Sequence, residues 1–258
     1  MPQIIDRTNG RDWRGAALPL AVLAVWWVVT TLGWVNTRLI VPPAGVLKTA
    51  ATVLTQADFY RGVLASLVRD LSGFAIGAIA GIAVGALMGV SRWSNRVIGP
   101  TFHTLRQISL FAWLPLLSSW LDTGDRSKIV FIALSAFYPV VLGAFEGVRG
   151  VTRAQAEVAR VYVFTRRQTL LRLILPAAAP QILTGLRLGL IYAWIATIGS
   201  EFLLANYGDG LGNIVFKGRA NFNIELIIVG MLVIGLIGYG FNRLADLFEA
   251  RSLRWRKA

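Results

Sequence analysis

Apolar runs of membrane-crossing length, separated by short polar or proline-bearing breaks, recur along the chain and predict a series of helices. The first run, Ala16 to Val35, follows Arg7, Arg11 and Arg14 and contains Trp26, Trp27 and Trp34. It shows no small-residue cleavage site, so it reads as a retained span. Val41-Pro42-Pro43-Ala44-Gly45 interrupts the pattern, because proline fixes φ and removes a backbone donor. Beyond it, Val46, Leu47, Ala50, Val53, Leu54 and Ala57 recur at helical spacing opposite Lys48, Thr49, Thr52 and Gln56. That predicts a helix lying on the bilayer surface.

Five more spans follow: Leu64 to Val90, Val97 to Leu121, Ile129 to Phe145, Ile182 to Ala205 and Leu226 to Phe241. The second carries Gly73, Gly77, Gly81, Gly85 and Gly89, a strict repeat of four that puts every glycine on one face. In lipid, where burial of apolar surface gives helices little reason to associate, such a face is a packing seam. The third holds Pro100 and Pro115, which predict a kink or break beside a cavity. Ser91 to Arg96 reads as a short basic loop before it, and Asp122 to Lys128 as a loop after it.

The stretch Glu146 to Pro180 breaks the alternation with a basic segment. Thr152 precedes Gln155, and Thr165 precedes Gln168, at the separation of a capping box, so two short helices are expected. The first places Ala154, Val158, Val161 and Tyr162 on one face, with Arg153, Glu157 and Arg160 on another. That amphipathicity suits a helix docked on a partner. The second carries Leu170, Leu171, Ile174 and Leu175 and is expected to stop at Pro176, with Pro180 opening the next span.

Composition agrees with a membrane protein: 55% of the 258 residues are hydrophobic and only 15% charged. With no Cys and one His, disulfides, thiolate metal sites and metal catalysis have almost no ligands. A net charge of +13 invites a nucleic-acid reading until the charges are placed. Six spans put sixteen Arg and Lys on the side of both termini and of the basic segment, against seven on the other. By the positive-inside rule that side is the cytoplasm, and nucleic acid is not needed. The expected layout is a cytoplasmic segment 1–15, a membrane domain 16–248 with the cytoplasmic loop 146–180 inside it, and a cytoplasmic basic tail 249–258.

Glu157-Val158-Ala159 and Leu173-Ile174-Leu175-Pro176 resemble the EAA loop of ABC importer permeases: Glu-Ala-Ala, three residues, Gly, nine residues, Ile-x-Leu-Pro. Ser66-Leu-Val-Arg-Asp-Leu-Ser-Gly-Phe, Leu105-Arg-Gln-Ile, Ala112-Trp-Leu-Pro, Ser127-Lys and Leu183-Thr-Gly-Leu-Arg-Leu are similar to its sulfonate, taurine and nitrate branch. The resemblance implies an all-α polytopic protein of about six transmembrane helices with a pair of coupling helices. It implies a homodimer in a bacterial inner membrane, served by separate ATPase subunits that hold ATP and Mg, and by an extracytoplasmic solute-binding protein. It also implies an ATPase-coupling surface at Glu157, Val158, Ala159, Arg160, Val163, Thr165, Arg166 and Pro176. This chain itself lacks a Gly-x-x-x-x-Gly-Lys-Ser/Thr loop and would carry no cofactor. Where the family has glycine between the coupling helices, it has Val163. A β-branched residue is poorly suited to φ > 0, so the turn is expected either to avoid the left-handed region or to differ in geometry.

Arg69, Asp70, Arg106, Arg187 and Glu201 fall in or near spans, where an ionised group is costly unless paired or hydrated. Arg69 and Asp70 are adjacent and are not expected to pair with each other. Arg187, near a span end, is expected to snorkel. Thr197, Ser200 and Glu201 are candidates for a translocation path or outer gate, and equally for a structural hydrogen bond between helices. Asn206-Tyr-Gly-Asp-Gly-Leu-Gly reads as a re-entrant or periplasmic connection, with Tyr207 facing the binding protein. Trp34, Trp93, Trp120 and Trp255 sit at span ends as interface anchors, and His103 is a lone polar group. The alternative to an ATP-driven importer is an ion-coupled transporter without an ATPase, for which inverted repeats or paired carboxylates would speak.

Overall fold

A computed structural model describes residues 14–36, 39–204 and 208–252, with residues 14–16, 153, 156, 160 and 166 described through their backbone only. Every element among them is helical: α1 (Arg14–Thr31), α2 (Pro43–Val53), α3 (Ala57–Val90), α4 (Arg92–Leu105), α5 (Leu114–Leu121), α6 (Asp125–Arg149), α7 (Arg153–Val161), α8 (Arg166–Gln168), α9 (Leu175–Leu203), α10 (Leu211–Ala220) and α11 (Ile224–Ser252). A 3-10 turn, Leu110–Trp113, leads into α5, and a π-helical turn, Thr169–Ile174, leads into α9. Residues 57–90, 125–149, 169–203 and 224–252 form helices long and apolar enough to cross a membrane. The apolar parts of α1 and of the Leu110–Leu121 segment are shorter.

The centre of the bundle is α6, flanked by α3 and α9. Glycine decides the α3–α6 approach. A Cβ on Gly73 would lie 2.6 Å from Ile132 Cβ, on Gly81 2.9 Å from Val140 Cβ, and on Gly89 2.6 Å from Val148 Cβ, while Gly77 and Gly85 face the carbonyls of Ala133 and Val141. All five therefore line the contact with α6, where close backbone approach gives the dispersion contacts that lipid does not replace. The α6–α9 crossing uses the same device, which the sequence pattern did not expose: a Cβ on Gly143 would stand 2.7 Å from Gly185 Cα. The outer faces keep Leu232, Leu236, Leu244 and Leu247 of α11 exposed, as a lipid-facing surface requires.

Several boundaries depart from the apolar pattern. Helix α3 starts seven residues before Leu64, and α11 runs eleven beyond Phe241, because amphipathic ends continue a helix without adding to the apolar run. The expected basic loop at Ser91–Arg96 shrinks to Ser91, whose hydroxyl accepts from Ser94 N–H as the N-cap of α4. Gly45 lies inside α2 rather than in the break, since Pro42 and Pro43 suit a helix start. The third span is broken: α4 ends at Leu105, residues 106–109 are not helical, and the chain resumes through the 3-10 turn into α5. The second helix expected in the basic segment does not stop at Pro176. Leu175 N–H reaches back five residues to Leu170 O, and this wider turn seats the proline ring without ending the helix. Pro180 then lies inside α9.

Candidate functional site

Three places carry polar chemistry, and they lie at the two ends and the middle of α6. At the end where α6 hands over to α7, the basic segment forms its capped helix. Thr152 N–H donates to Gln155 Oε1 at 3.0 Å while Gln155 N–H donates to Thr152 Oγ1 at 3.3 Å. Thr165 and Gln168 repeat the exchange at 2.9 and 3.3 Å. Both capping boxes satisfy amides that would otherwise be orphaned.

The turn between the two boxes is left-handed: Val163 has φ +51°. Phe164 N–H bonds Ala159 O at 2.9 Å and Tyr162 N–H bonds Val158 O at 3.0 Å, so the helix ends with the six-to-one bond of a Schellman motif. The valine thus adopts the conformation that glycine takes freely. Ala159 is buried under this turn, whereas Val158, Val161, Tyr162 and Val163 are exposed, the last by 82%. Glu157 and Thr165 are exposed as well. The side chains of Arg160 and Arg166 lie outside the described residues. Pro176 is in the first turn of α9.

At the opposite end, four segments meet in a buried charge cluster. Arg69 of α3 places Nη1 2.8 Å from Glu201 Oε1 and Nε 2.8 Å from Asp125 Oδ1, and Nη1 also donates to Asp209 O at 2.6 Å. Glu201 is fully buried. It accepts from the Ser66 hydroxyl at 2.8 Å and from Gly212 N–H at 3.0 Å, while Leu211 N–H donates to Ser66 Oγ at 2.9 Å. Thr197, also buried, donates to Asp70 Oδ1 at 2.8 Å. Ser200 is buried and donates to Thr197 O.

Thr197 and Glu201 make hydrogen bonds from α9 to α3, and Glu201 also to the segment 208–212, while Ser200 bonds within α9. Arg69 and Asp70 serve different partners. Lys128, placed by its sequence context in a loop, is instead fully buried in α6, among the charges of Arg69, Glu201 and Asp125. No pattern in its neighbours announces this. Asp209 and Gly210–Gly212 are held by the cluster, which gives the Gly-rich connection a structural role. Asn206 and Tyr207 lie outside the described residues. Arg187 does more than snorkel: its Nη1 lies 2.8 Å from Asp246 Oδ1 and its Nη2 donates to Asn242 Oδ1 at 2.9 Å.

In the middle, the break between α4 and the 3-10 turn borders a cavity of about 460 Å³ lined by Arg106, Gln107, Ile108, Ser109, Leu110, Ser135, Tyr138, Pro139, Leu142 and Tyr192. A larger cleft of about 610 Å³ between α9 and α11 is mostly apolar. Among the described residues there is no group of acidic or histidine side chains able to hold a metal ion.

Residues 73–255 match the family described as the binding-protein-dependent transport system inner membrane component. The chain belongs to this family. Among the permease's relatives is the putative aliphatic sulfonates transport permease protein SsuC of Escherichia coli (strain K12), 32% identical over 93% of this chain and 91% of that protein. Another is the nitrate import permease protein NrtB of Synechocystis sp. (strain ATCC 27184 / PCC 6803 / Kazusa), 30% identical over 91% and 87%. The fold matches the inward-facing MetNI methionine ABC transporter with a TM-score of 0.65 at 19% identity, covering 75% of the permease and 95% of that chain. The permease is thus an all-α membrane subunit of the type I ABC importer fold, and its relatives are transport subunits rather than enzymes.

Proposed function

We propose that this permease is the membrane subunit of an ATP-driven importer for a small oxyanion, such as an aliphatic sulfonate, taurine or nitrate. An extracytoplasmic binding protein delivers the solute, two copies of the chain assemble, and ATPase subunits holding ATP and Mg seat on the loop around α7. The observation that carries the reading is α7 itself. It is capped at both ends, so its geometry is fixed, yet Val158, Val161 and Tyr162 are left uncovered. A short rigid helix with an unburied apolar face and an exposed Glu157 beside it suits a groove on a moving partner. The excess of Arg and Lys at this end supports placing it, with both termini, in the cytoplasm.

Glu157→Lys tests the reading. The variant is expected to insert and purify as wild type does, because Glu157 is exposed and bonds nothing among the described residues. It should lose ATPase copurification and ATP-dependent uptake. Unchanged uptake rejects the coupling role, and uptake that ignores vanadate would favour an ion-coupled transporter.

A further inference from the structure

Two cationic side chains set among the described core helices are ion-paired, Arg69 with Glu201 and Asp125 and Arg187 with Asp246 and Glu249. Lys128 lies among the charges of Arg69, Glu201 and Asp125, although its buried Nζ has no hydrogen-bond partner among the described residues. Arg106 differs in being exposed rather than buried with acidic neighbours: it has no ion pair or side-chain hydrogen bond among the described residues, and no carboxylate lines the cavity it borders. The cavity lies well along the helices that flank it. Ser135 and Tyr138 on the cavity wall lie near the middle of the 25-residue α6, and Tyr192 near the middle of the 29-residue α9. At 1.5 Å per residue, Ser135 and Tyr138 are about 15–21 Å from either end of α6, and Tyr192 is about 26 and 17 Å from the two ends of α9.

A guanidinium cannot shed its charge to escape such surroundings. An ionised side chain at this depth faces water or a ligand, and is a functional site by default. The surroundings are also of the right kind. Gln107, Tyr138 and Tyr192 bring an amide and two phenols to the wall, and none of these groups has a hydrogen-bond partner among the described residues. Ser135 is excluded as a ligand donor because its hydroxyl already donates to Tyr192 O at 2.9 Å. The helix break matters too, since non-helical backbone at membrane depth persists where it lines a cavity.

We propose that Arg106, with Gln107, Tyr138 and Tyr192, forms a binding site on the permease for the head of a singly charged oxyanion half-way across the membrane. A guanidinium fork matches two oxygens of a sulfonate, nitrate or hydrogencarbonate at once. The amide and phenols donate to what remains. The site selects charge and oxygen geometry rather than the rest of the solute, which leaves finer discrimination to the delivering protein. It deepens the oxyanion-importer reading and rests on it.

The test uses the full chain in lipid nanodiscs, with equilibrium binding of radiolabelled methanesulfonate and of nitrate, and ethylammonium as the cationic control. Wild type is expected to bind both anions and not the cation. Arg106→Gln should lose at least tenfold in affinity for both, Arg106→Lys should recover part of it, and Arg96→Gln, at the far end of α4, should match wild type. Because Arg106 contacts nothing that holds the fold, Arg106→Gln is expected to melt as wild type does. No saturable anion binding by wild type, or equal binding by Arg106→Gln, overturns the proposal. ATP-driven uptake in proteoliposomes with the ATPase and binding protein separates the two levels. If wild type and Arg106→Gln transport with the same half-saturating concentration, the site falls and the importer stands. If wild type transports nothing, the importer reading falls.

Discussion

Val163 concentrates the question of how this loop departs from its family. Its φ of +51° puts a β-branched side chain in a region that costs an L-residue about 1–2 kcal/mol. The six-to-one bond from Phe164 and the burial of Ala159 hold it there. Glycine would remove that cost but bring back about 0.4–1 kcal/mol of freedom in the unfolded chain. Val163→Gly is therefore expected to stabilise the end of α7 by roughly 0.5–1 kcal/mol, the difference between those two figures. Slower hydrogen exchange at the Phe164 amide would report it, and uptake should be preserved. Lost coupling in this variant would mean that the valine side chain, 82% exposed, is itself part of the docking surface.

At the scale of elements, the bundle is made by small residues at helix crossings, and not every glycine is one of them. Gly77 and Gly85 touch α6 backbone, whereas Cβ atoms on Gly235 and Gly240 of α11 would meet nothing within 4 Å. Gly85→Leu should force α3 from α6 and abolish stable expression. Gly240→Ala should be neutral or stabilise by up to about 1 kcal/mol, the helix-propensity difference. Thermal unfolding of the detergent-solubilised variants reads both, and a stable Gly85→Leu would show that the seam tolerates separation. The two crossings differ in how legible they were. On α3 five glycines fall in register within one helix, but Gly143 and Gly185 sit singly on two helices and become a contact only when α6 and α9 cross. Pro176 misled for a related reason. Proline commonly ends a regular α-helix, but here the π-helical turn before it leaves room for its ring and the helix continues.

Across the whole molecule, the charge cluster ties the start of α3, the start of α6, the end of α9 and the segment 208–212 into one body. The loop of α7 hangs from the other end of the same helices. Under the proposed coupling, a motion delivered at α7 meets a bundle fastened at its far end by the buried Arg69 and Glu201, with Asp125 at the exposed edge of the cluster. Arg69→Met removes the cation but leaves Glu201 fully buried with only Ser66 and Gly212 as donors. Breaking a buried pair in this way costs about 3–5 kcal/mol. A fall in thermal stability of that order, with loss of monodisperse protein, is expected, and an unchanged melting temperature would show that the cluster is not what fastens this end.

The sequence by itself determined whatever repeats within a turn or two of helix: the apolar spans, both capping boxes and the glycine register of α3. Those signals are local, because a helix brings residues three and four apart to one face. Tertiary structure alone decided the partners of the buried charges. Ser66 meets Glu201 across 135 residues and Arg69 meets it across 132, and Lys128 lies at full depth in a stretch whose neighbours read as a loop. Arg106, by contrast, is singled out by what the fold does not bring to it. No local pattern shows that a charge lacks a counterpart, since that depends on where every other carboxylate of the chain has been placed.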